Sequence, residues 1–260
     1  MATRGTSQNF PRPIGFSPQT DKLFQKGQTL LRKNNFSKAI RTLRKAAKQT
    51  PESPKVLRYY ATALSRNNDH IEALKQFELA DALDPTNRLS RNDATARAYA
   101  DSLSYQASNL GRSGNYEAAM PLYEKALALK QSYATLKNYA MTVQGLAQEL
   151  SNHYQYQEAL ELLLKALEYK PNDYRLCTTC ANTAVEVGNL DLAFELLDRC
   201  LLQAGNDALA LTSYGNALTA NGRYEEAYAC FVKVLSQKSN NVPTITSYGN
   251  ALAAEGRYEE

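Results

Sequence analysis

The sequence predicts an all-α protein, built as a solenoid of antiparallel helix pairs. Three observations predict this. The stretch SYGNALTANGRYEE at 213–226 returns 34 residues later as SYGNALAAEGRYEE at 247–260, with twelve of its fourteen positions unchanged. Small residues recur at fixed places along the chain. Leu and Ala are abundant whereas the 260 residues include only 12 Gly and 9 Pro, a composition that favours helix over strand.

One alanine in each unit sets the alignment of the repeats. The intervals between successive members are 34, 46, 40, 34 and 34 residues, and a bulky apolar residue follows each alanine by four positions. Residues four apart share one face of a helix, so each alanine and its bulky neighbour are predicted to face a common core. The aligned alanines are Ala39, Ala73, Ala119, Ala159, Ala193 and Ala227.

The alignment divides the chain into a tail and an array. Residues 1–19 are predicted to be a disordered basic tail, and residues 20–260 to be the solenoid. The insertions at 88–99 and 134–139 are rich in Ala, Leu, Arg and Tyr, so we expect them to lengthen the first helices of their units. The predicted units are 20–53, 54–87, 88–133, 134–173, 174–207, 208–241 and a partial unit at 242–260.

These positions resemble the tetratricopeptide repeat, a helix–turn–helix unit of 34 residues with small residues at fixed places and a proline near its end. The resemblance covers about residues 20–260. The place usually held by tryptophan is occupied here by Leu, Val, Cys or Ile, for example Leu57 and Cys177. The resemblance implies a right-handed superhelical solenoid, whose first helices line a concave groove where extended peptides usually lie.

The resemblance implies a non-enzymatic protein-interaction scaffold that binds an extended peptide or partner segment. Stacked units share one core, and terminal units normally carry a polar outer face. The sequence stops at Glu260, one residue before the aligned alanine of the last unit, so we expect it to be a piece of a longer protein. The alternative is that it forms the N-terminal regulatory or docking arm of a larger effector, such as a caspase-like protease, a glycosyltransferase or a signalling ATPase.

Polar residues on the predicted first helices are the candidates for peptide binding. Two positions four residues apart carry Thr and Asn in the last three units, and an Asn amide can both donate to and accept from a peptide backbone. Repeat duplication also explains the agreement of the last two units, but the diverged unit 174–207 keeps both residues. The predicted peptide-binding residues are Thr178, Asn182, Thr212, Asn216, Thr246, Asn250, Gln148 and Arg58.

The chain offers little for catalysis, so we expect no enzymatic activity, no cofactor and no metal in these residues. His70 and His153 lie at predicted turns of separate units without motif-spaced partners. Cys177 and Cys180 form a CxxC pair, which can hold zinc or react with disulfides. Both cysteines fall on core positions of the repeat, so packing is the favoured explanation.

The charge is distributed unevenly along the chain. Residues 1–58 contain 13 Lys and Arg against two acidic residues, a net charge of +11, and the remainder therefore carries −7 of the overall +4. A solvated basic helix explains this, and docking on a nucleic acid, a ribonucleoprotein or another polyanion is the functional alternative. The candidate residues are Arg32, Lys33, Lys38, Arg41, Arg44, Lys45 and Lys48.

The N-terminal segment has no hydrophobic core of the kind a secretory signal requires, and no apolar run approaches the ~20 residues that span a bilayer. The four cysteines lie in predicted helices rather than in a disulfide framework. We therefore expect a cytoplasmic protein that does not bind membranes.

Overall fold

The computed structural model describes residues 17–86 and 94–257, and all regular structure in these two ranges is helical. The elements follow one another as long helices separated by short turns. They are α1 (Pro18–Arg32), α2 (Phe36–Gln49), α3 (Pro54–Arg66), α4 (His70–Leu83), α5 (Ala94–Arg112), α6 (Tyr116–Leu129), α7 (Tyr133–Asn152), α8 (Tyr156–Tyr169), α9 (Tyr174–Val187), α10 (Leu190–Ala204), α11 (Ala208–Ala220), α12 (Tyr224–Gln237) and α13 (Val242–Glu255). The predicted all-α architecture of consecutive helix pairs is confirmed.

Helix starts are set by capping residues that the sequence places at the end of each unit. The Ser53 side chain accepts a hydrogen bond from Val56 N, and Asp173 accepts one from Leu176 N. A side-chain acceptor at this position satisfies a backbone N–H that has no partner within the helix. The chain therefore enters each new first helix at a defined residue.

The turn inside each pair uses one residue with a left-handed backbone. Glycine fills this place at Gly188, Gly222 and Gly256, with φ of 83°, 73° and 86°. Tyr154 takes the same conformation in the turn between α7 and α8, with φ 61°. The left-handed region costs little for glycine and more for a residue with a Cβ, so this turn is locally strained.

The chain forms two compact units. The first comprises the described residues up to Gln106 together with Glu124–Gln131. Within it α1 packs on α2, α2 on α3 and α3 on α4. Gly27 of α1 is the point of closest approach to α2, since a Cβ at this position would lie 2.5 Å from the Leu43 side chain. Small residues in the repeat thus permit close helix packing.

The second unit comprises Ala107–Tyr123 and the described residues from Ser132 onward. Here each helix from α7 to α13 packs on the next. Gly215 of α11 repeats the close approach, because a Cβ there would lie 2.4 Å from the ring of Phe231 in α12. All six aligned alanines of the chain are fully buried, as is Phe231. The predicted register of the core is confirmed.

Several sequence-based expectations concern element ends. Residues 1–16 of the predicted tail 1–19 lie outside the described residues, whereas Pro18 and Gln19 belong to α1. Of the insertion 88–99, residues 88–93 also lie outside them, and the remainder starts α5. The insertion 134–139 is helical, and it makes α7 20 residues long.

Candidate functional site

The candidate site lies on the first helices of the second unit. Within this unit α7 contacts α9, α9 contacts α11 and α11 contacts α13, so the first helix of each pair lies beside the first helix of the next. The second helices α8, α10 and α12 pack against this row. Side chains on the remaining face of the row therefore form a continuous surface across four helices.

Three asparagines lie at matching places on α9, α11 and α13. Asn182 and Asn216 are half-buried and Asn250 is exposed. Within the part of the chain that the structure describes, none of the three side-chain amides hydrogen-bonds to another protein group. Each amide retains two donors and one acceptor oxygen for a ligand or water. These three amides are therefore not engaged within the described residues, and their part in peptide binding stays a prediction.

The corresponding residue of α7 is Gln148. Its side chain is exposed, and its Nε2 donates to Asn152 Oδ1 at 3.0 Å. Gln148 keeps its own carbonyl oxygen as an acceptor, because only its amino group is engaged. The row of amides therefore extends from α7 to α13.

The predicted threonine positions behave differently from the asparagines. Thr178 is 1 % exposed, and its hydroxyl donates to Tyr174 O at 2.7 Å, one turn earlier in α9. Thr212 is also buried, with its hydroxyl 2.7 Å from that of Thr244 between α11 and α13. These two side chains face the interior, so the structure removes Thr178 and Thr212 from the candidate surface. Their hydroxyls join neighbouring groups inside the protein.

Thr246 is the exposed member of the threonine series. Its hydroxyl donates to Val242 O at 3.1 Å, within the first turns of α13. The Thr246 hydroxyl oxygen still has acceptor capacity, but its donor is used locally. The threonine series therefore contributes much less to the surface than the asparagine series.

A polar cavity of about 440 Å³ lies between α7 and α9 and contains two of the predicted residues, Gln148 and Asn182. Its one charged lining residue among those described is Glu186. The bond from Gln144 Nε2 to Thr179 Oγ1, 3.2 Å long, joins the two helices at this place. The lining residues are Gln144, Ala147, Gln148, Ser151, Asn152, Tyr156, Thr179, Asn182, Thr183 and Glu186.

The sequence reasoning missed part of this cavity, namely Gln144, Asn152, Thr179 and Glu186. A signal was present on α9, because Thr179, Asn182 and Glu186 follow one another at intervals of three and four residues and are all polar. Such spacing marks one stripe of a helix. The prediction paired Asn182 with Thr178, which is buried. The residue that lines the cavity together with Asn182 is the next one in the chain, Thr179.

A second cavity, of about 240 Å³, lies between α5 and α7 in the same unit. Ser108, Arg112, Asn138 and Met141 contribute to its lining. Tyr123 closes its inner side and is fully buried. Burial raises the pKa of the Tyr123 phenol, so this group remains protonated at neutral pH. The two cavities occupy successive intervals between first helices.

Arg58, also predicted to bind a peptide, belongs to a buried charge network in the first unit. It is 4 % exposed and lies 3.4 Å from Asp81 and 3.6 Å from Asp84, both in ion pairs. Its guanidinium also donates to the Asp84 carbonyl oxygen at 3.1 Å. Asp81 in turn accepts from the Tyr99 hydroxyl at 2.9 Å. Arg58 therefore joins α3 to the end of α4. Because its side chain is buried, it is no longer a candidate for peptide binding.

The CxxC cysteines are core residues. Cys177 and Cys180 are almost completely buried, as is Cys200 of α10. Cys177 Sγ donates to the Leu196 carbonyl oxygen at 3.2 Å. A hydrogen bond with Cys200, supported by the charge of Arg199, lowers the pKa of Cys177, whereas burial raises the pKa of Cys180 to about 12. The prediction that these cysteines pack in the core is confirmed.

The two histidines belong to different units and have different surroundings. The His70 ring stacks on Tyr105 at 4.6 Å, and its Nδ1 lies 3.2 Å from the Ser102 hydroxyl. His153 is exposed at the end of α7. Among the residues with described positions, no group of three His, Cys, Asp or Glu side chains could hold a metal ion.

The predicted polyanion-binding residues all lie on the surface of α1 and α2. Arg44 is held in place, since its Nε donates to the Tyr60 hydroxyl at 2.9 Å. All seven residues are exposed, namely Arg32, Lys33, Lys38, Arg41, Arg44, Lys45 and Lys48. The basic residues predicted from the sequence therefore form an exposed basic surface.

Three family models, each described as tetratricopeptide repeat, match the chain at residues 24–88, at 153–214, and at both 106–139 and 208–241. The chain belongs to the tetratricopeptide repeat family. The matched residues lie in both units of the structure, and they agree with the helix pairs and with the buried alanine register. No curated protein sequence matches the chain.

Solved protein structures resemble this one. YrrB, described as a TPR protein with an unusual peptide-binding site, shares 21 % identity over 79 % of this chain and 96 % of its own, with a TM-score of 0.50. PilF of Pseudomonas aeruginosa shares 18 % identity over 90 % of this chain and 96 % of its own, with a TM-score of 0.43. At its level of identity, the similarity to YrrB concerns the fold alone.

No helix in the described parts of the tetratricopeptide array is long and apolar enough to cross a bilayer.

Proposed function

We propose that this tetratricopeptide repeat protein is an interaction scaffold that binds an extended segment of a partner protein along α7, α9, α11 and α13. The binding groups are the side-chain amides of Gln148, Asn182, Asn216 and Asn250. The cavity between α7 and α9 receives part of the segment. The observation that carries the proposal is the row of asparagine amides that have no hydrogen-bond partner within the described residues.

Amides in such a row match the main chain of an extended peptide. Each peptide unit presents one N–H donor and one C=O acceptor, and an Asn side chain can satisfy both. At a net gain of about 0.5–1.5 kcal/mol for each hydrogen bond, four amides together contribute several kcal/mol to the free energy of binding. Recognition through the main chain tolerates variation in the side chains of the partner.

The lining of the groove also indicates the charge of the segment. Apart from Glu186, the described residues that line the α7–α9 cavity are uncharged. A segment with few charges loses little solvation free energy when it enters such a site. Binding should therefore depend weakly on salt, in contrast to recognition of an acidic or basic tail.

Selection from a phage-displayed library of random 15-residue peptides tests the proposal. Synthetic versions of the enriched peptides are then titrated into the wild-type protein and into a variant carrying Asn182→Ala and Asn216→Ala. We expect the variant to bind at least about tenfold more weakly, since it loses two to four hydrogen bonds. The matched control is Gln157→Ala with Gln203→Ala, which removes two exposed amides from the second helices α8 and α10.

Equal affinities of wild-type protein and the asparagine variant for every enriched peptide would show that the row of amides is not the binding surface. Circular dichroism of both variants separates a loss of binding from a loss of fold. The substituted residues are not core residues, so thermal unfolding should remain within a few degrees of wild type.

A further inference from the structure

The first unit carries a surface that the proposed function leaves unused. We propose that the outer face of α2 is a docking surface for an acidic α-helix of a partner protein. We call the row Lys38, Arg41, Lys45 and Lys48 the basic stripe. Its four side chains are exposed, and Arg32 and Lys33 lie at the turn that precedes α2.

The spacing of the basic stripe is that of a single helix face. The four residues follow one another at intervals of three, four and three, and such residues lie above one another on an α-helix. With a rise of about 1.5 Å per residue, the stripe is about 15 Å long. An acidic helix that carries carboxylates at the same intervals has the same pitch, so each carboxylate can face one cation.

The cations of the stripe are not paired with carboxylates in the part of the chain that the structure describes. No ion pair joins any of them to a carboxylate within the described ranges, and the one acidic residue of α1 and α2, Asp21, accepts a hydrogen bond from Gln25. Cations elsewhere do have partners: Lys75 pairs with Glu72, and Lys125 pairs with Asp81. Among the described residues, the positive charge of the basic stripe is therefore unpaired.

This arrangement costs the helix stability. Like charges three or four residues apart repel each other by a few tenths of a kcal/mol per pair. The first turn of α2 has no acidic residue, and Lys38 lies near the positive end of the helix dipole. A row of carboxylates placed against the stripe relieves both sources of repulsion.

The surroundings of the stripe favour a polypeptide over a lipid surface or a nucleic acid. None of the described side chains of α1–α3 is an exposed large hydrophobic residue, so the face offers nothing to insert into a bilayer. Phe36 at the start of α2 is half-buried, and Tyr60, which contacts Arg44, is buried, so neither presents an open stacking platform for bases. A row of carboxylates on a partner helix can pair with the basic stripe, and this pairing needs neither exposed apolar residues nor an aromatic stacking platform.

Fluorescence anisotropy with two synthetic 21-residue peptides tests this inference. Both contain the same alanines and glutamates. One places its glutamates on a single helical stripe at intervals of three and four, and the other distributes them around the helix. We expect the striped peptide to bind about tenfold more tightly at low salt, and the binding to weaken steeply as salt is added.

Arg41→Glu combined with Lys45→Glu should abolish binding of the striped peptide. The matched control, Lys233→Glu with Lys238→Glu, makes the same change of charge at exposed sites in and directly after α12, and should leave binding within about twofold. The asparagine variant of the groove should bind the striped peptide as wild type does, so this test and that of the proposed function fail independently.

Three outcomes would overturn the inference. These are equal binding of the two peptides, tighter binding of a single-stranded RNA of equal charge, and tighter binding to vesicles of phosphatidylcholine with phosphatidylserine. The charge reversals relieve repulsion within α2, so the variant should remain folded. A melting curve recorded before the titrations verifies this.

Discussion

At the scale of single residues, the structure distinguishes side chains that serve the fold from those that remain available to a partner. Thr178 and Asn182 lie four residues apart on α9, yet the hydroxyl of Thr178 is bonded inside the protein whereas the amide of Asn182 has no partner in the described residues. Both are polar residues recurring in the repeat. Only burial and hydrogen bonding distinguish their roles.

Tyr154 has a left-handed backbone conformation, which is unfavourable for a residue with a bulky side chain. It is 82 % exposed and has φ 61°, in a turn position where the other described turns have glycine or asparagine. Tyr154→Gly should raise the free energy of unfolding by about 1 kcal/mol, because it removes left-handed strain. Urea denaturation measures this, with Tyr133→Gly at the exposed start of α7 as the control. A loss of stability in Tyr154→Gly would show that the turn is not strained.

Arg58 is the buried cation of the first unit. Arg58→Ala leaves Asp81 and Asp84 without their buried partner, so we expect a loss of about 3 kcal/mol in the free energy of unfolding. Arg66→Ala, at an exposed position of the same helix, should change stability by less than about 0.5 kcal/mol. Chemical denaturation followed by circular dichroism compares the two. Equal losses would contradict the network described around Arg58.

At the scale of elements, the repeat specifies how closely two helices approach. Gly27 and Gly215 each lie where the partner helix inserts a large side chain, Leu43 or Phe231. The six aligned alanines are small residues too, and all are fully buried. The sequence thus encodes helix–helix distance by residue size, which explains why the register of small residues predicted the core so completely.

The duplicated SYGNAL segments allow the same substitution to be made at two equivalent positions that have different surroundings. Gly215 and Gly249 occupy the same place in the two SYGNAL segments. A Cβ at Gly215 would meet Phe231 at 2.4 Å, whereas a Cβ at Gly249 meets nothing within 4 Å among the described residues. Gly215→Ala should cost about 1–3 kcal/mol through overpacking. Gly249→Ala should gain up to about 1 kcal/mol through helix propensity.

Thermal unfolding of the two glycine variants beside wild type measures both effects. The prediction requires opposite signs. If both substitutions stabilise the protein, the close approach of α11 to α12 is looser than described.

The charges of α2 also have a consequence for stability that is independent of any ligand. Arg41→Glu with Lys45→Glu converts repulsive pairs with Lys38 and Lys48 into attractive ones, so the melting temperature should rise at low salt. The increase should disappear at about 1 M salt, where charges are screened within about 3 Å. Differential scanning calorimetry at both salt concentrations measures it. An unchanged melting temperature at low salt would mean that the stripe is not a source of strain.

At the scale of the whole molecule, periodicity made most of the fold predictable. Small and bulky residues recur at fixed positions because every unit packs its two helices in the same way. Examples are Ala159, Ala193 and Phe231, which are all fully buried. The tetratricopeptide repeat assignment followed from that pattern. The exact start of α1, at Pro18, was harder to predict because its cap is a local feature outside the repeat.

The candidate site was only partly predictable from sequence. The asparagine positions were found because they recur, whereas Thr179 and Gln144 of the α7–α9 cavity belong to no recurring series. Arg58 was assigned to the groove because nothing in the sequence reveals that Asp81 and Asp84 lie against it. Periodicity identifies positions, but the direction of a side chain depends on which neighbours enclose it.

The central claim is that a partner segment lies along the first helices of the second unit. Site-specific photocrosslinking tests it most directly, with benzoylphenylalanine placed either at Thr179 in the α7–α9 cavity or at Glu195 on the exposed face of α10. A peptide enriched in the library selection should crosslink to the protein substituted at Thr179 and not to that substituted at Glu195. Crosslinking at Glu195 alone would contradict the claim.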